Sequence, residues 1–507
     1  MNSKRALKDA ADGSLVVDQL ESARHARLTA LWPRELTGEN PGSNSLDMRT
    51  PTERDRGRVI YSSYLPRLAG VTQVVSPTLR HGSMHSRLTH SHKVATLSRE
   101  IANDVVRIAR ANGGADRTSQ PSDIIENITE LDIQLAGGLD IAACELAGLA
   151  HDIGHAPFGH AAEKFLDKWL LELDENGDGF EGNAQTTRVL SKLDPHIILG
   201  KYGLNLTAVS MAAVQKYPWS RDHSQALRSN KFSVYADDIT NLKFARSAVG
   251  QTVPDSAPSL EASIMDIADD ITYAIHDLQD FYQAGLINIE QICDDLKRDS
   301  SELNINDDTQ SYSGIFTSSA EDLARKYTNR FDQHTYAKAL MRVRVWLKHS
   351  FSGPYDGSVL MNATVRQVFS EKIKDLLKGL RFSRDLNSNP FIHFGDDDWH
   401  EVQVLKQIAQ GRVVSAPSVA LHERSQLAAL NVVLHSLEEW CSEGRAASLP
   451  QPLAAYVLDL DAPEKRTVPL RRVIVDFVCS LTDEGCAQLA RNLGGVDVAW
   501  QNTGRQQ

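Results

Sequence analysis

The chain is poor in the features that mark secreted, membrane-spanning or nucleic-acid-coating proteins. Its five cysteines, at 144, 293, 441, 479 and 486, never form a C-x-x-C pair, so neither a disulfide framework nor a zinc knuckle is indicated and buried free thiols are expected. It has no run of about 18 apolar residues, which a membrane-spanning helix would need. The opening MNSKRALKDAADGSL is basic without the apolar segment of a signal peptide, so a cytoplasmic protein with no membrane partner is expected. Positive charge is in deficit: 54 Lys and Arg stand against 66 Asp and Glu, a net charge of −12. That balance opposes coating of nucleic acid or adhesion to anionic lipid, although a local basic patch is compatible with it. No P-loop and no dinucleotide fingerprint occurs. With 41% hydrophobic, 24% charged and 7% aromatic residues, the composition is that of a folded globular chain.

Strict alternation of apolar and polar residues is scarce as well, and helical periodicity takes its place. Arg87 to Ala111 sets Leu88, Val94, Leu97, Ile101, Val105 and Ile108 at mostly three- and four-residue steps, which predicts an amphipathic helix. A second helix is predicted through Leu139, Ala143, Leu146 and Leu149, ending near Gly154 and Pro157, and a third over roughly Leu260 to Tyr282 with Ile264, Ile267, Ile271 and Ile275 on one stripe. The expected fold is mainly α. Residues 1–50 read as a polar N-terminal arm, 51–290 as the chemistry-bearing core, and 291–507 as a mainly helical region completing the site or an oligomer interface. Gly113 to Asp123 and Ser300 to Ser319 read as polar surface insertions, and a polar segment around FGDDDWHE reads as an interruption between later helices.

Three words carry the chemistry: RLTHS at Arg87–Ser91, HDIGHAPFGHAAE at His151–Glu163 and DIADDITYAIHD at Asp266–Asp277. Their imidazoles and carboxylates suit a divalent ion such as Mg, Mn, Fe, Co or Ni better than a thiolate-preferring one. Adjacent His151 and Asp152 can reach one ion only where the backbone turns, because neighbouring side chains on a helix diverge by about 100°; Gly154 and Pro157 supply that break. A lone histidine such as His90 is more often a half-buried imidazole than a ligand. The density of His151, His155 and His160 beside Asp152 and Glu163 is harder to assign to core packing, since titratable groups are costly to bury unless paired or metal-bound. On the third helix Asp269, Tyr273 and Asp277 share one face at four-residue spacing. With Asp266, Asp270 and Asp280 nearby, a solvated acidic face is the competing reading. DENGDGFEGNAQ at Asp174–Gln185 touches the EF-hand pattern at Asp174, Asn176, Asp178 and Gly179, but Glu181 stands where an aliphatic belongs and Gln185 where the bidentate Glu belongs.

The order His90, His151-Asp152, Asp269 resembles the H…HD…D signature of the HD superfamily. RLTHS, HDIGHAPFGHAAE, FEGNAQ (Phe180–Gln185), KYP (Lys216–Pro218) and ADDITY (Ala268–Tyr273) are similar to the successive motifs of the dGTPase-like dNTP triphosphohydrolases. RDRGRVIYSSYLPRLAGVTQV (Arg54–Val74) resembles that family's opening block, and VIVDFVCSLTD (Val473–Asp483) a degraded form of its C-terminal one. The resemblance implies a helical HD core over 51–290, with His90, His151, Asp152 and Asp269 as metal ligands and His160 with Glu163 as the catalytic pair. His155 stands where some members carry Asn, and joins that pair. Arg87, Lys216, Tyr217, Lys231, Tyr273 and Asp277 correspond to positions around the triphosphate and sugar, and Gln73 to the glutamine that reads the 3′-hydroxyl. Lys93 departs from the pattern, replacing an acidic residue after THS.

The implied activity is metal-dependent conversion of a dNTP to deoxynucleoside and inorganic triphosphate, with dGTP one candidate for the preferred base. Relatives of this kind are commonly homo-oligomers, tetramers or hexamers, and a second dNTP site as effector and single-stranded DNA are among the partners the resemblance carries. Two rivals remain: another HD nucleotidase or phosphodiesterase, which would not need Gln73 or the KYP word, and a regulatory protein that binds a dNTP or single-stranded DNA with little turnover.

Overall fold

The computed structural model describes residues 49–73, 86–112, 125–194, 203–250, 253–303, 314–351, 353–386, 390–409, 417–460 and 469–495. Nearly all of the N-terminal arm, the polar stretch after residue 112 and the middle of the Ser300–Ser319 segment lie outside the described residues. The fold is mainly α, as expected; among the described residues the only sheet is a two-stranded antiparallel pair.

Helix α1 (Pro51–Ile60) starts on a capping box, in which Thr50 and Glu53 satisfy each other's backbone amides, with proline at the first helical position. Helix α2 (Arg87–Ala111) buries Val94, Leu97, Ile101 and Val105 along the anticipated stripe. Helix α3 (Ile141–Ala150) is apolar on nearly every face and buried accordingly. Of the further helices in this part, those that bear on the site are α4 (His160–Leu171), α5 (Gly182–Arg188), α6 (Ala208–Val214) and α7 (Leu260–Gln283). Helix α7 lies against α2, α3 and α6, so the two longest helices of the region pack on each other and both on α3.

The chain continues through α8 (Ile289–Leu303), α9 (Ile315–Lys326), α10 (Gln333–Ser350) and α11 (Val359–Lys378). A hairpin of β1 (Leu380–Phe382) and β2 (Ile392–Phe394), with Leu380 opposite Phe394, leads to α12 (Asp396–Ala409). Leu340, Val343, Val402, Leu405 and Ile408 of these helices share a continuous core with Ile264, Ile271 and Ile275 of α7. Two expectations are corrected here. The supposed insertion at Ser300–Ser319 is entered by α8 and α9 from either side: Phe316 and Thr317 are buried, and the Asp299 carboxylate accepts the Phe316 amide at 2.9 Å. Nor does FGDDDWHE interrupt the helices. Asp396, Asp397 and Asp398 are the first turn of α12, where acidic side chains complement the positive end of the helix dipole.

Helices α13 (Pro417–Ser442), α14 (Leu453–Leu460), α15 (Leu470–Val478) and α16 (Asp483–Leu493) form a second apolar cluster. Leu430, Leu434, Leu437, Ile474 and Phe477 pack there around Leu166 and Trp169 of α4. The last four helices are therefore built around the helix that begins with His160. All five cysteines are free thiols, and among the described residues no helix is long and apolar enough to cross a membrane.

The crossing of α2 and α3 depends on Gly148, where a Cβ would stand 2.5 Å from the backbone of Ala95. Neither helix can yield without moving His90 or His151. Gly148→Ala should lower stability by about 1–3 kcal/mol, the usual cost of overpacking, and depress Tm by several degrees; an unchanged thermal denaturation midpoint would contradict this packing.

Candidate metal centre and proton chain

Ser86 caps α2 through its side chain, so Arg87 opens the helix and His90 follows one turn later, both buried. His151 ends α3, and residues 151–154 turn away. The turn is tight because Gly154 lies against α5; a Cβ there would fall 2.1 Å from the Thr186 amide nitrogen. Thr186 locks it, its hydroxyl accepting the Gly154 amide at 3.0 Å and donating to the His151 carbonyl at 3.0 Å. The turn thus lets His151 and Asp152 face the same interior.

His90, His151 and Asp269 each offer a donor atom, all within 4.8 Å of one another. His90 Nε2 lies 3.1 Å from Asp269 Oδ1. His151 Nδ1 is 2.9 Å from the Gly148 carbonyl and donates to it, so Nε2 is the nitrogen turned towards the carboxylates and the one that would ligate an ion. That Nε2 is buried with no hydrogen bond, 3.4 Å from Asp152 Oδ1 and 3.6 Å from Asp269 Oδ1. A buried, unpartnered imidazole nitrogen facing two carboxylates is costly unless a cation completes it, so the donor set fits a divalent ion. Asp152 adjoins the trio. It spends Oδ2 on Arg87 Nη1 at 2.7 Å and brings Oδ1 to His155 Nε2 at 2.9 Å.

A second group runs outward from Asp152. His155 Nδ1 contacts Glu163 Oε1, and Glu163 Oε2 meets His160 Nδ1 at 2.9 Å. Both ring nitrogens of His155 are taken by carboxylates, which makes Asp152–His155–Glu163–His160 a hydrogen-bonded chain instead of a second cation cage. Burial disfavours charge on His155, and the Arg87 guanidinium opposes it too, yet Glu163 and Asp152 push the imidazole pKa up to about 9. Burial alone would raise the Glu163 carboxyl, but His155 and His160 hold it well below the usual range. The His160 side chain is 64% exposed while those of His155 and Glu163 are 12% exposed. The chain therefore begins in the interior and ends on an imidazole at the surface.

The acidic face of α7 is part-buried, and Asp266, Asp269 and Asp270 are paired with lysines. Lys216 contacts Asp266 and lies 3.3 Å from Asp269 Oδ2, and Lys406 reaches Asp270 at 2.6 Å. Burial lifts the Asp277 carboxyl well above its ordinary range, with Asp280 and Asp269 adding to it, and its Oδ2 has no hydrogen bond. Tyr273 is half-buried between Asp269 and Asp277. Tyr217 stacks at a tilt on Trp219, with centroids 5.7 Å apart, and Lys231 pairs with Glu181 at 2.9 Å. Arg87 is engaged by Asp152 and by the Thr72 carbonyl at 3.1 Å. Gln73, next along, is half-buried with an unpartnered buried Oε1. The EF-hand-like loop is committed elsewhere: Asp178 accepts the Ala236 amide at 2.7 Å and Gln185 donates to Asp476 at 2.9 Å.

Sequence reasoning gave no site role to Glu181, the partner of Lys231, or to Lys406, the partner of Asp270. Glu181 lay inside a quoted word, whereas Lys406 offered only an ordinary helical lysine.

This helical fold with its histidine and aspartate cluster defines an HD-domain phosphohydrolase, metal-dependent by its donor set, and the HD domain family matches residues 87–274. Over 487 residues the chain is 31% identical to a deoxyguanosinetriphosphate triphosphohydrolase-like protein of Streptomyces coelicolor, covering 91% of this chain and 97% of that one. A protein of the same description from Corynebacterium efficiens is 29% identical over 470 residues, covering 89% and 93%, and one from Pseudomonas aeruginosa is 28% identical over 489 residues, covering 92% and 98%. The chain belongs to the deoxyguanosinetriphosphate triphosphohydrolase-like family.

Asp269→Asn should reduce bound metal several-fold while α7 stays folded on Ile264, Ile267, Ile271 and Ile275, all buried. Elemental analysis of the purified variant checks this; wild-type metal content would remove Asp269 from the donor set.

Proposed function

We propose that the protein hydrolyses dNTPs to deoxynucleoside and inorganic triphosphate. The observation that carries this reading is the chain Asp152–His155–Glu163–His160 running from the metal-fitting trio to an exposed imidazole. His90, His151, Asp152 and Asp269 would hold a divalent ion such as Mg or Mn, which when bound polarises an α-phosphate oxygen. Arg87 and Lys216 would offset phosphate charge; both are now paired with carboxylates, so substrate must compete for them. Lys231, Tyr217, Tyr273 and Asp277 would flank the triphosphate and sugar. Gln73, with an amide able to donate and accept, would pair with the 3′-hydroxyl.

Water attacks the α-phosphorus, a phosphorus–oxygen bond forms, and the bond to the 5′-oxygen breaks. The leaving oxygen takes up a proton and the attacking water loses one. His160 is the group of the chain able to handle these protons at the surface, because Glu163 holds its Nδ1 and leaves Nε2 towards solvent. Glu163 orients the ring, and His155 secures Glu163 against Asp152. Metal affinity thus rests on His90, His151, Asp152 and Asp269 and the proton step on His160 and Glu163, with Asp152 joining the two groups.

That division generates a test. His160→Ala and Glu163→Ala should each cut turnover of dNTP to triphosphate by about 10²- to 10⁴-fold while metal content and dNTP affinity persist, as chromatography of products and equilibrium binding would report. Wild-type rates in both variants would make the pair structural; absence of triphosphate from wild type with every dNTP and metal would favour the binding-protein reading.

A further inference from the structure

The turn between α15 and α16 grips two loops of the catalytic half at once. Arg67 donates from Nε to the Leu481 carbonyl at 2.7 Å, and from its other nitrogens to the Ile153 carbonyl at 3.2 Å and the His155 carbonyl at 2.5 Å. Thr482 fills the space above Gly70, where a Cβ would stand 2.8 Å from its Cγ2. Asp483 then closes the join. One oxygen accepts the Thr72 amide at 3.0 Å and the Thr72 hydroxyl, and the other accepts the Phe158 amide at 2.8 Å.

The two loops so joined are those next to the reactive groups. Thr72 precedes Gln73, and its carbonyl accepts from Arg87 at 3.1 Å. Phe158 has φ 68°, a left-handed conformation that non-glycine residues rarely hold without external support. Gly159 follows at φ 66°, and His160 is the first residue of α4. The entry angle of the helix carrying His160 and Glu163 therefore depends on a strained residue whose amide is held by a carboxylate 325 positions away.

We infer that Asp483 is a positioning residue: by clamping Thr72 and Phe158 to one carboxylate it sets Gln73 and His160 in register across the substrate. This rests on the roles proposed for those two residues. It gives the C-terminal block a function that the HD domain match, ending at residue 274, does not contain. Asp483 touches none of His90, His151 or Asp269, so its loss should spare the ion.

The experiment compares wild type, Asp483→Ala and the milder Thr72→Val, which removes only the hydroxyl contact. Three quantities are read: metal content, the ratio of kcat/KM for a dNTP over its 2′,3′-dideoxy analogue, and amide hydrogen exchange of Thr72 and Phe158. Asp483→Ala should keep its metal, lose about 10- to 100-fold in kcat, bring the ratio towards one and deprotect both amides; Thr72→Val should move the ratio the same way by less. Asp55→Asn controls for general destabilisation, because Asp55 is buried against Thr207 and Ser210 away from the trio, and it should leave the ratio intact. Protected amides or an unchanged ratio in Asp483→Ala would overturn the inference. If wild type forms no triphosphate, the functional reading fails, and the exchange data alone still decide whether the clamp exists.

Discussion

The Asp152 carboxylate is the charge on which the site depends. Buried between Arg87, His151 and His155, it would be prohibitive to desolvate alone. Burial raises its pKa, and the flanking cations more than reverse that, holding it well below the usual carboxylate range. One oxygen faces both the metal-fitting trio and the proton chain while the other anchors Arg87, so a displacement of Asp152 would disturb both at once. The Gly154 turn against α5 exists to make that double contact, and any side chain there would strike the Thr186 backbone.

Much of this was legible in the sequence because it rests on local rules. The α2 and α7 stripes were readable from three- and four-residue apolar steps, and their observed bounds, Arg87–Ala111 and Leu260–Gln283, fall within a residue of the prediction. The His160–Glu163 hydrogen bond follows from i, i+3 spacing at a helix start. The acidic run on α7 was ambiguous for a physical reason: whether Asp266 and Asp270 face water or cations depends on Lys216 and Lys406, neither near in sequence. The same holds for Asp483, whose partners Thr72 and Phe158 come from two separate loops.

The C-terminal third carried little chemical signal, and the reason lies in how it acts. It supplies apolar side chains to α4 and carboxylates to loops, and single residues of this kind have no local pattern. Asp476 is the second such case, accepting from Gln185 and Arg188 on α5 at 2.9 Å each. The polar stretch at Ser300–Ser319 misled because a helix cap and a helix start, here Asp299 holding the Phe316 amide, have the same composition as a surface loop.

The central claim, that water attacks the α-phosphorus and the 5′-oxygen leaves, is tested most directly by running the reaction in ¹⁸O-labelled water and weighing both products. The account predicts one ¹⁸O in the released triphosphate and none in the deoxynucleoside. Label in the deoxynucleoside, or its appearance in orthophosphate, pyrophosphate or a nucleoside monophosphate in place of triphosphate, would contradict it.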